Sequence, residues 1–404
     1  MPRRAEALLS MTKGSHKRLP TREQQPSSKH LAQKVRKSLP GRPKFPMVPH
    51  EREHIHALSL LTLNPTQADQ AVRHVATLSA EEREQFISLA DSNHVVLRAL
   101  EPLHKAAVTG GDTALAQWAA GVMEREHARI NNAVEKLKEI VTALEAGGCP
   151  TTVMKSLDHW PDLGNDLDLY TTADEQRVAD VMTKQFNAHI EDRSWGDRLA
   201  NKWNFAIPGL PEAVEVHAKR LGQTGEHTQM AQRFVNRRVE KTINGMSFPV
   251  PAAEERVIVA TLQRMYRHFY FRVCDIVNTA ALVESGEINY AELKRAAGMG
   301  SIWKGVCSYL KIVNDYVKQY RGSGISLPTE VMNTAPFGGE KVYVRGKFIR
   351  VPIMPQGATL YTEQVTQTAL RGDVPATFRL SLLPYLATAA AISFKMTGSD
   401  KGIW

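Results

Sequence analysis

Asp166 and Asp168 stand one residue apart in the stretch Leu163-Gly164-Asn165-Asp166-Leu167-Asp168-Leu169-Tyr170-Thr171. The alternation of polar and apolar residues reads as a short strand. Strand side chains alternate faces, so the two carboxylates point the same way, a few ångströms apart. Like charges at that spacing repel, and burying them is costly. A divalent cation relieves both problems, and magnesium in particular is held by one or two carboxylates together with substrate phosphates. The same alternation puts Glu215 and His217 on one face of a second candidate strand, Ala213-Val214-Glu215-Val216-His217. Lys155 and Ser156 lie in a third candidate strand, residues 149–157, ahead of the turn-rich loop Asp158-His159-Trp160-Pro161-Asp162-Leu163-Gly164-Asn165.

Two further constellations have spacing that suits chemistry. On a helix expected over residues 254–284, His268, Arg272 and Asp275 share a face at i, i+4 and i+7. There Arg272 can reach a triphosphate and Asp275 can orient it, or the two form an intrahelical ion pair. Tyr266, Phe269, Tyr270 and Phe271 interleave with Arg264, Arg267 and Arg272 in the same segment. That pattern suits base stacking, but a packed aromatic helix face is the expectation. The second constellation is His50-Glu51-Arg52-Glu53-His54, which has the His-Glu-x-x-His spacing of a helical zinc site with Glu51 as general base. Pro46 and Pro49 place it at a helix start beside a polar tail, so a plain first turn is the expectation.

The order of a strand ending in Lys155-Ser156, a loop, Asp166-Leu167-Asp168-Leu169, then the acidic strand with Glu215 and His217 resembles the DNA polymerase β-like nucleotidyltransferase superfamily. More narrowly it is similar to the uncharacterised bacterial nucleotidyltransferase family, over roughly residues 55–320. The resemblance implies a small mixed sheet between helical regions. It implies that Asp166, Asp168 and Glu215 are catalytic and hold two magnesium ions, with His217 and Asp275 behind them. It also implies that Lys155, Ser156 and Arg272 contact an NTP such as ATP. The superfamily shows Gly-Ser or Gly-Gly where this chain has Lys155-Ser156, and many relatives carry an arginine shortly before the aspartates, which this loop lacks.

The elements that must position these residues follow from periodicity. Residues 51–147 read as helices. Ser79-Ala80-Glu81-Glu82 is a capping box. Residues 112–146 form a long helix with an apolar stripe from Leu115 through Val134 and Val141 to Leu144, closed by Gly147-Gly148. A helix over residues 173–187 separates the acidic strands, residues 225–320 read as helices, and residues 341–351 read as a β-hairpin turning near Arg345-Gly346. The fold expectation is therefore α+β, with a basic disordered tail (1–48), an N-terminal helical region (49–148), a nucleotidyltransferase core (149–222), a C-terminal helical region (223–325), and a hairpin with a terminal helix (326–404).

Charge and cysteine usage bound the function. Residues 1–50 hold 12 Lys/Arg against 2 Asp/Glu, whereas the remaining 354 residues hold 39 against 40, so the net charge of +9 belongs to the tail. A tail of that composition is expected to be disordered and to touch RNA or other anionic surfaces weakly. Cys149, Cys274 and Cys307 have no zinc spacing and need no disulfide, which points to the cytoplasm. The longest apolar run, residues 382–394, contains Pro384 and is too short to span a membrane, so no stable membrane insertion is expected. The leading expectation is magnesium-dependent transfer of an NMP group from an NTP to an acceptor, which is a small molecule, a protein side chain or an RNA end. The alternatives are a catalytically inactive binding protein of the same fold, motivated by Lys155-Ser156, and a zinc hydrolase at His50 and His54.

Overall fold

The aspartate strand lies inside a five-stranded mixed sheet. The computed structural model describes residues 51–397; the basic tail, His50 and residues 398–404 lie outside the described residues. In chain order the sheet comprises β1 (Thr151–Met154), β2 (Asp166–Thr171), β3 (His189–Ile190), β4 (Lys202–Ala206) and β5 (Ala213–Ala218), arranged in space as β1-β2-β5-β4-β3. β2 and β5 run parallel, and every other neighbouring pair is antiparallel. Parallel neighbours need a long crossover. Here it contains α6 (Glu175–Phe186), β3, α7 (Trp195–Ala200) and β4. Strands β3 and β4 are additions to the expected sheet, and β1 is shorter than the expected 149–157, because at Ser156 the chain turns into a 3₁₀ helix, Ser156–His159.

One face of this sheet is apolar, and the other carries the polar residues of β2, β4 and β5 beside buried Met154 and Tyr170. Val153, Leu167, Leu169, Phe205, Val214 and Val216 pack with Val134, Leu137 and Val141 of the long helix α5 (Thr113–Ala146) and with Val178 and Met182 of α6. That burial drives strand placement, and it forces Asp166, Asp168, Glu215 and His217 onto the opposite face. Ahead of α5 come α1 (Glu51–Leu63), α2 (Asp69–Thr77), α3 (Ala80–Ser92) and α4 (Val96–Thr109), which share a separate apolar core. The capping box of Ser79 and Glu82 opens α3 as expected.

After the sheet, the chain departs from the all-helical expectation. Following α8 (Gln229–Asn236), β6 (Arg238–Ile243) and β7 (Met246–Pro251) form a hairpin turning on Asn244 and Gly245, with φ of 47° and 76°. Positive φ at both central residues is what an Asn-Gly type I′ turn supplies. The single helix expected over residues 254–284 is broken. It consists of α9 (Ala253–Thr261), a wider π-helical turn (Leu262–His268), the short strand β8 (Tyr270–Phe271) and α10 (Val273–Glu284). The break comes from tertiary pairing. β8 pairs with β10 (Phe348–Arg350) of the C-terminal hairpin, whose other strand is β9 (Tyr343–Arg345), and Tyr270 stacks on Phe348 at 4.2 Å. α11 (Tyr290–Met299), α12 (Trp303–Arg321) and α13 (Thr329–Thr334) precede that hairpin; α14 (Ala358–Leu370), α15 (Val374–Ser381) and α16 (Leu383–Thr397) follow it. Among the described residues, no helix is long and apolar enough to cross a membrane. The three cysteines are buried and unpaired.

Two side chains from the helical region hold the loops that lead into the carboxylate strands. Arg129 of α5 donates to the carbonyls of Leu163 and Gly164, at 3.0 and 3.5 Å, and to buried Glu212 at 2.5 Å. One guanidinium thus anchors the entries to both β2 and β5. Asp162, 1% exposed, accepts the N–H groups of Leu97 and Arg98 at 2.7 and 3.3 Å, capping the start of α4 from a distant loop. Burial pushes the Asp162 carboxyl up to about 7, against the pull of those N–H groups and of Arg98.

Arg129→Met leaves Glu212 buried without its cation, and because the arginine is partly exposed the expected loss is about 2–3 kcal/mol, below the ~3–5 kcal/mol of a fully buried pair. Urea unfolding of the variant checks this, and a loss below about 0.5 kcal/mol would show that Arg129 does not anchor the loops. A carboxyl raised in the folded state binds protons that the unfolded chain has released. The Asp162 contribution to stability therefore falls as pH rises from about 4 to about 7 and is level above that. Asp162→Asn is expected to flatten this slope in unfolding measured across that range, and an unchanged slope would assign it to other groups.

Candidate functional site

The β2–β5 register sets Asp168 directly opposite Glu215, and Tyr170 opposite His217. On the far side of β5, Lys202 of β4 is opposite His217. The polar face therefore gathers carboxylates, an imidazole and an ammonium with no loop involved. Asp168, Glu215 and His217 each offer a ligand atom within 4.8 Å of the others, the one such His/Cys/Asp/Glu group of three among the described residues. Asp166 shares the face and lines the same cavity but is not part of that compact group. His217, expected behind the carboxylates, is thus among the potential ligands.

The acidic face carries its own counter-charges. Lys155 Nζ is 2.6 Å from Asp168 Oδ1, so its side chain points into the site. Lys202 Nζ lies 3.0 Å from Glu215 Oε2 and 2.9 Å from Asp197. His217 Nε2 is 2.8 Å from Glu215 Oε1. Burial pushes Asp168 up to about 7, with Lys155 opposing and Glu215 reinforcing the rise. Desolvation in the cleft and then the Glu215 charge raise Asp166. Burial would raise Glu215 as well, but the hydrogen bond from His217 and the charge of Lys202 outweigh it and hold this carboxyl well below its usual range. Burial lowers His217, against the opposing pull of Glu215. Asp168 and Glu215 are therefore unequal: burial raises the one, and its partners hold the other ionised.

Lys155 has φ 56° and ψ −52°, a backbone conformation that favours glycine. This turn brings the chain from β1 across the end of β2. The Ser156 hydroxyl secures it, accepting the Asp168 N–H at 2.9 Å and donating to the Asp166 carbonyl at 3.3 Å. Ser156 is 1% exposed, and its hydroxyl serves the strand rather than a ligand.

Opposite the acidic face stands an arginine wall. Arg264, Arg267 and His268 from the π-helical turn, with Arg272 at the start of α10, line a polar cavity of about 160 Å³ together with Lys155, Asp166, Asp168 and Glu215. Arg264 is 1% exposed, and its Nη1 has no hydrogen-bond partner among the described residues; the same holds for Arg272 Nε. Arginine side chains lining a polar cavity suit an anion. Burial and the surrounding arginine charges hold His268 down, at about 2, as a neutral ring.

Asp275 has a different place from the one expected. Because the helix is broken, His268, Arg272 and Asp275 do not share one helical face. Asp275 accepts the Arg272 N–H at 2.6 Å and pairs with Arg264 Nε at 2.7 Å, so it orients Arg264 from behind the cavity. Arg264, Arg267 and Lys202 carry the site's unanticipated charge. The two arginines were visible as aromatic-interleaved residues but read as a packed helix face; the signal for Lys202 was the alternation Lys202-Trp203-Asn204-Phe205. His54 is buried, contacts His74 at 3.0 Å and meets the Phe86 ring edge-on, as a core histidine does. No protein family, curated protein or solved structure matches this chain.

A divalent cation bound at Asp168 would have to displace Lys155 from it. Lys155→Met is therefore expected to tighten manganese binding by about ten-fold, equivalent to ~1.4 kcal/mol, in a paramagnetic-ion titration. Equal affinities in the two proteins would mean that Asp168 holds no metal.

Proposed function

We propose that this chain is a magnesium-dependent nucleotidyltransferase that moves an NMP group from an NTP, such as ATP, to an acceptor hydroxyl or phosphate. The observation that carries the reading is the pairing of opposites across one cavity. Carboxylates that suit magnesium line one cavity with arginines that suit a polyphosphate. Asp166, Asp168 and Glu215, with His217, would hold the metal; magnesium bound there neutralises phosphate charge and lowers the pKa of an acceptor hydroxyl. Arg264 and Arg272 would hold the phosphates in line, and Lys155 would trade Asp168 for a phosphate oxygen. The glycine-like backbone of Lys155 supports the resemblance to the polymerase β-like superfamily, since it keeps the turn where those proteins have glycine. The contribution of Ser156 would then come from its backbone N–H.

One observation favours a second reading. Lys155 and Lys202 already neutralise Asp168 and Glu215, an arrangement suited to a binding protein that has given up catalysis.

Incubation with each NTP labelled at the α-phosphate, with magnesium and with RNA, protein or small-molecule fractions, separates the two. The expected result is label transfer that falls by at least about a hundred-fold, roughly 2.7 kcal/mol, in Asp166→Ala/Asp168→Ala. NTP binding without transfer in any fraction would establish the binding protein, and neither binding nor transfer would overturn both readings.

A further inference from the structure

A second cavity, of about 380 Å³, adjoins the polar one. Arg267 and His268 line both, so the two share a wall. The second cavity has different chemistry. Leu262, Tyr266 and Phe269 line it from the π-helical turn and its end, Tyr361 from α14, and Leu383 and Ala387 from α16. Its polar groups are few. Gln364 is 1% exposed with Nε2 3.3 Å from His227 Nε2, and the Glu226 carboxylate accepts the Thr224 N–H and hydroxyl at 2.9 and 3.0 Å. Such a volume, mostly apolar and aromatic with a few fixed polar groups, is that of a small-molecule site.

Its position relative to the carboxylates gives it a role. The apolar cavity meets the polar one at Arg267 and His268, whereas Arg264 and Arg272, assigned to the NTP phosphates, line the polar cavity and not the apolar one. We propose that it holds the acceptor: a small molecule with an apolar, ring-bearing body and a hydroxyl that reaches the polar cavity past Arg267 and His268. This rests on the nucleotidyl-transfer reading. In the step, the hydroxyl oxygen forms a bond to the α-phosphorus. The bond from that phosphorus to the oxygen bridging the β-phosphorus breaks, its electron pair leaves with pyrophosphate, and the hydroxyl proton passes to water. Walls from α14 and α16 suit a small acceptor better than an RNA end or a protein side chain.

The test uses the full chain and two variants that fill the cavity from its helical wall, Ala387→Trp and Ala358→Leu. Binding of ATP and of inorganic triphosphate is titrated. Transfer from α-labelled ATP is then measured with a low-mass metabolite extract, RNA and protein offered separately. The expected result is a labelled, acid-soluble product retained on a reversed-phase column, with transfer reduced at least about ten-fold in both variants and both binding constants within about two-fold of wild type. Label in RNA or protein, or transfer unchanged in the variants, overturns the proposal. So does ATP binding that weakens while triphosphate binding holds, because the nucleoside then occupies the cavity. Wild-type protein that binds neither ATP nor triphosphate overturns the underlying nucleotidyl-transfer reading instead.

Discussion

The parallel pairing of β2 with β5 is the constraint on which the rest depends. It sets Asp168 against Glu215 in register, so two carboxylates share one patch of a half-buried sheet face. Neighbouring strands lie about 4.8 Å apart, a distance at which like charges out of bulk water do not coexist without compensation. The surrounding structure supplies it. Lys155 comes from the turn after β1, Lys202 from β4, and His217 from two residues further along β5. Lys202 and His217 are fixed by the same ladder that creates the problem. The resulting balance is uneven: burial raises the Asp168 carboxyl, whereas His217 and Lys202 hold Glu215 ionised.

The arginine wall is a second, separate piece of construction. It exists because a helix fails to continue. Between α9 and α10 the chain widens into a π-helical turn, and β8 is drawn out to pair with the C-terminal hairpin. Such widened turns recur at functional sites, where an extra residue re-aims side chains. Here the break turns Arg264, Arg267 and His268 toward the carboxylates, while Asp275 caps α10 and grips Arg264. Remote parts of the chain therefore cooperate: residues near 350 determine how residues near 265 face residues near 168.

Much of the acidic face was legible in the sequence because period-two alternation is a local property. Asp166 with Asp168, and Glu215 with His217, could be assigned to shared faces from spacing alone, and the long helix α5 from its apolar stripe. The Asn244-Gly245 hairpin was equally local, but its residues sit in a stretch whose helical neighbours masked it. The broken helix was not legible at all. No glycine or proline interrupts residues 262–272, and only the pairing of β8 with β10 makes the break favourable.

By itself, then, the sequence determined the α+β class, the helical N-terminal region and the pairs of residues that share a strand face. These follow from periodicity, capping and turn chemistry within a few residues. Tertiary structure alone decided that Asp168 and Glu215 are neighbours, that Lys155 and Lys202 answer them, and that Arg264, Arg267 and Arg272 face them across a cavity. The reason is physical. Strand order, the handling of buried charge and the interruption of a helix depend on contacts between residues far apart in the chain, whose free energies no local pattern encodes.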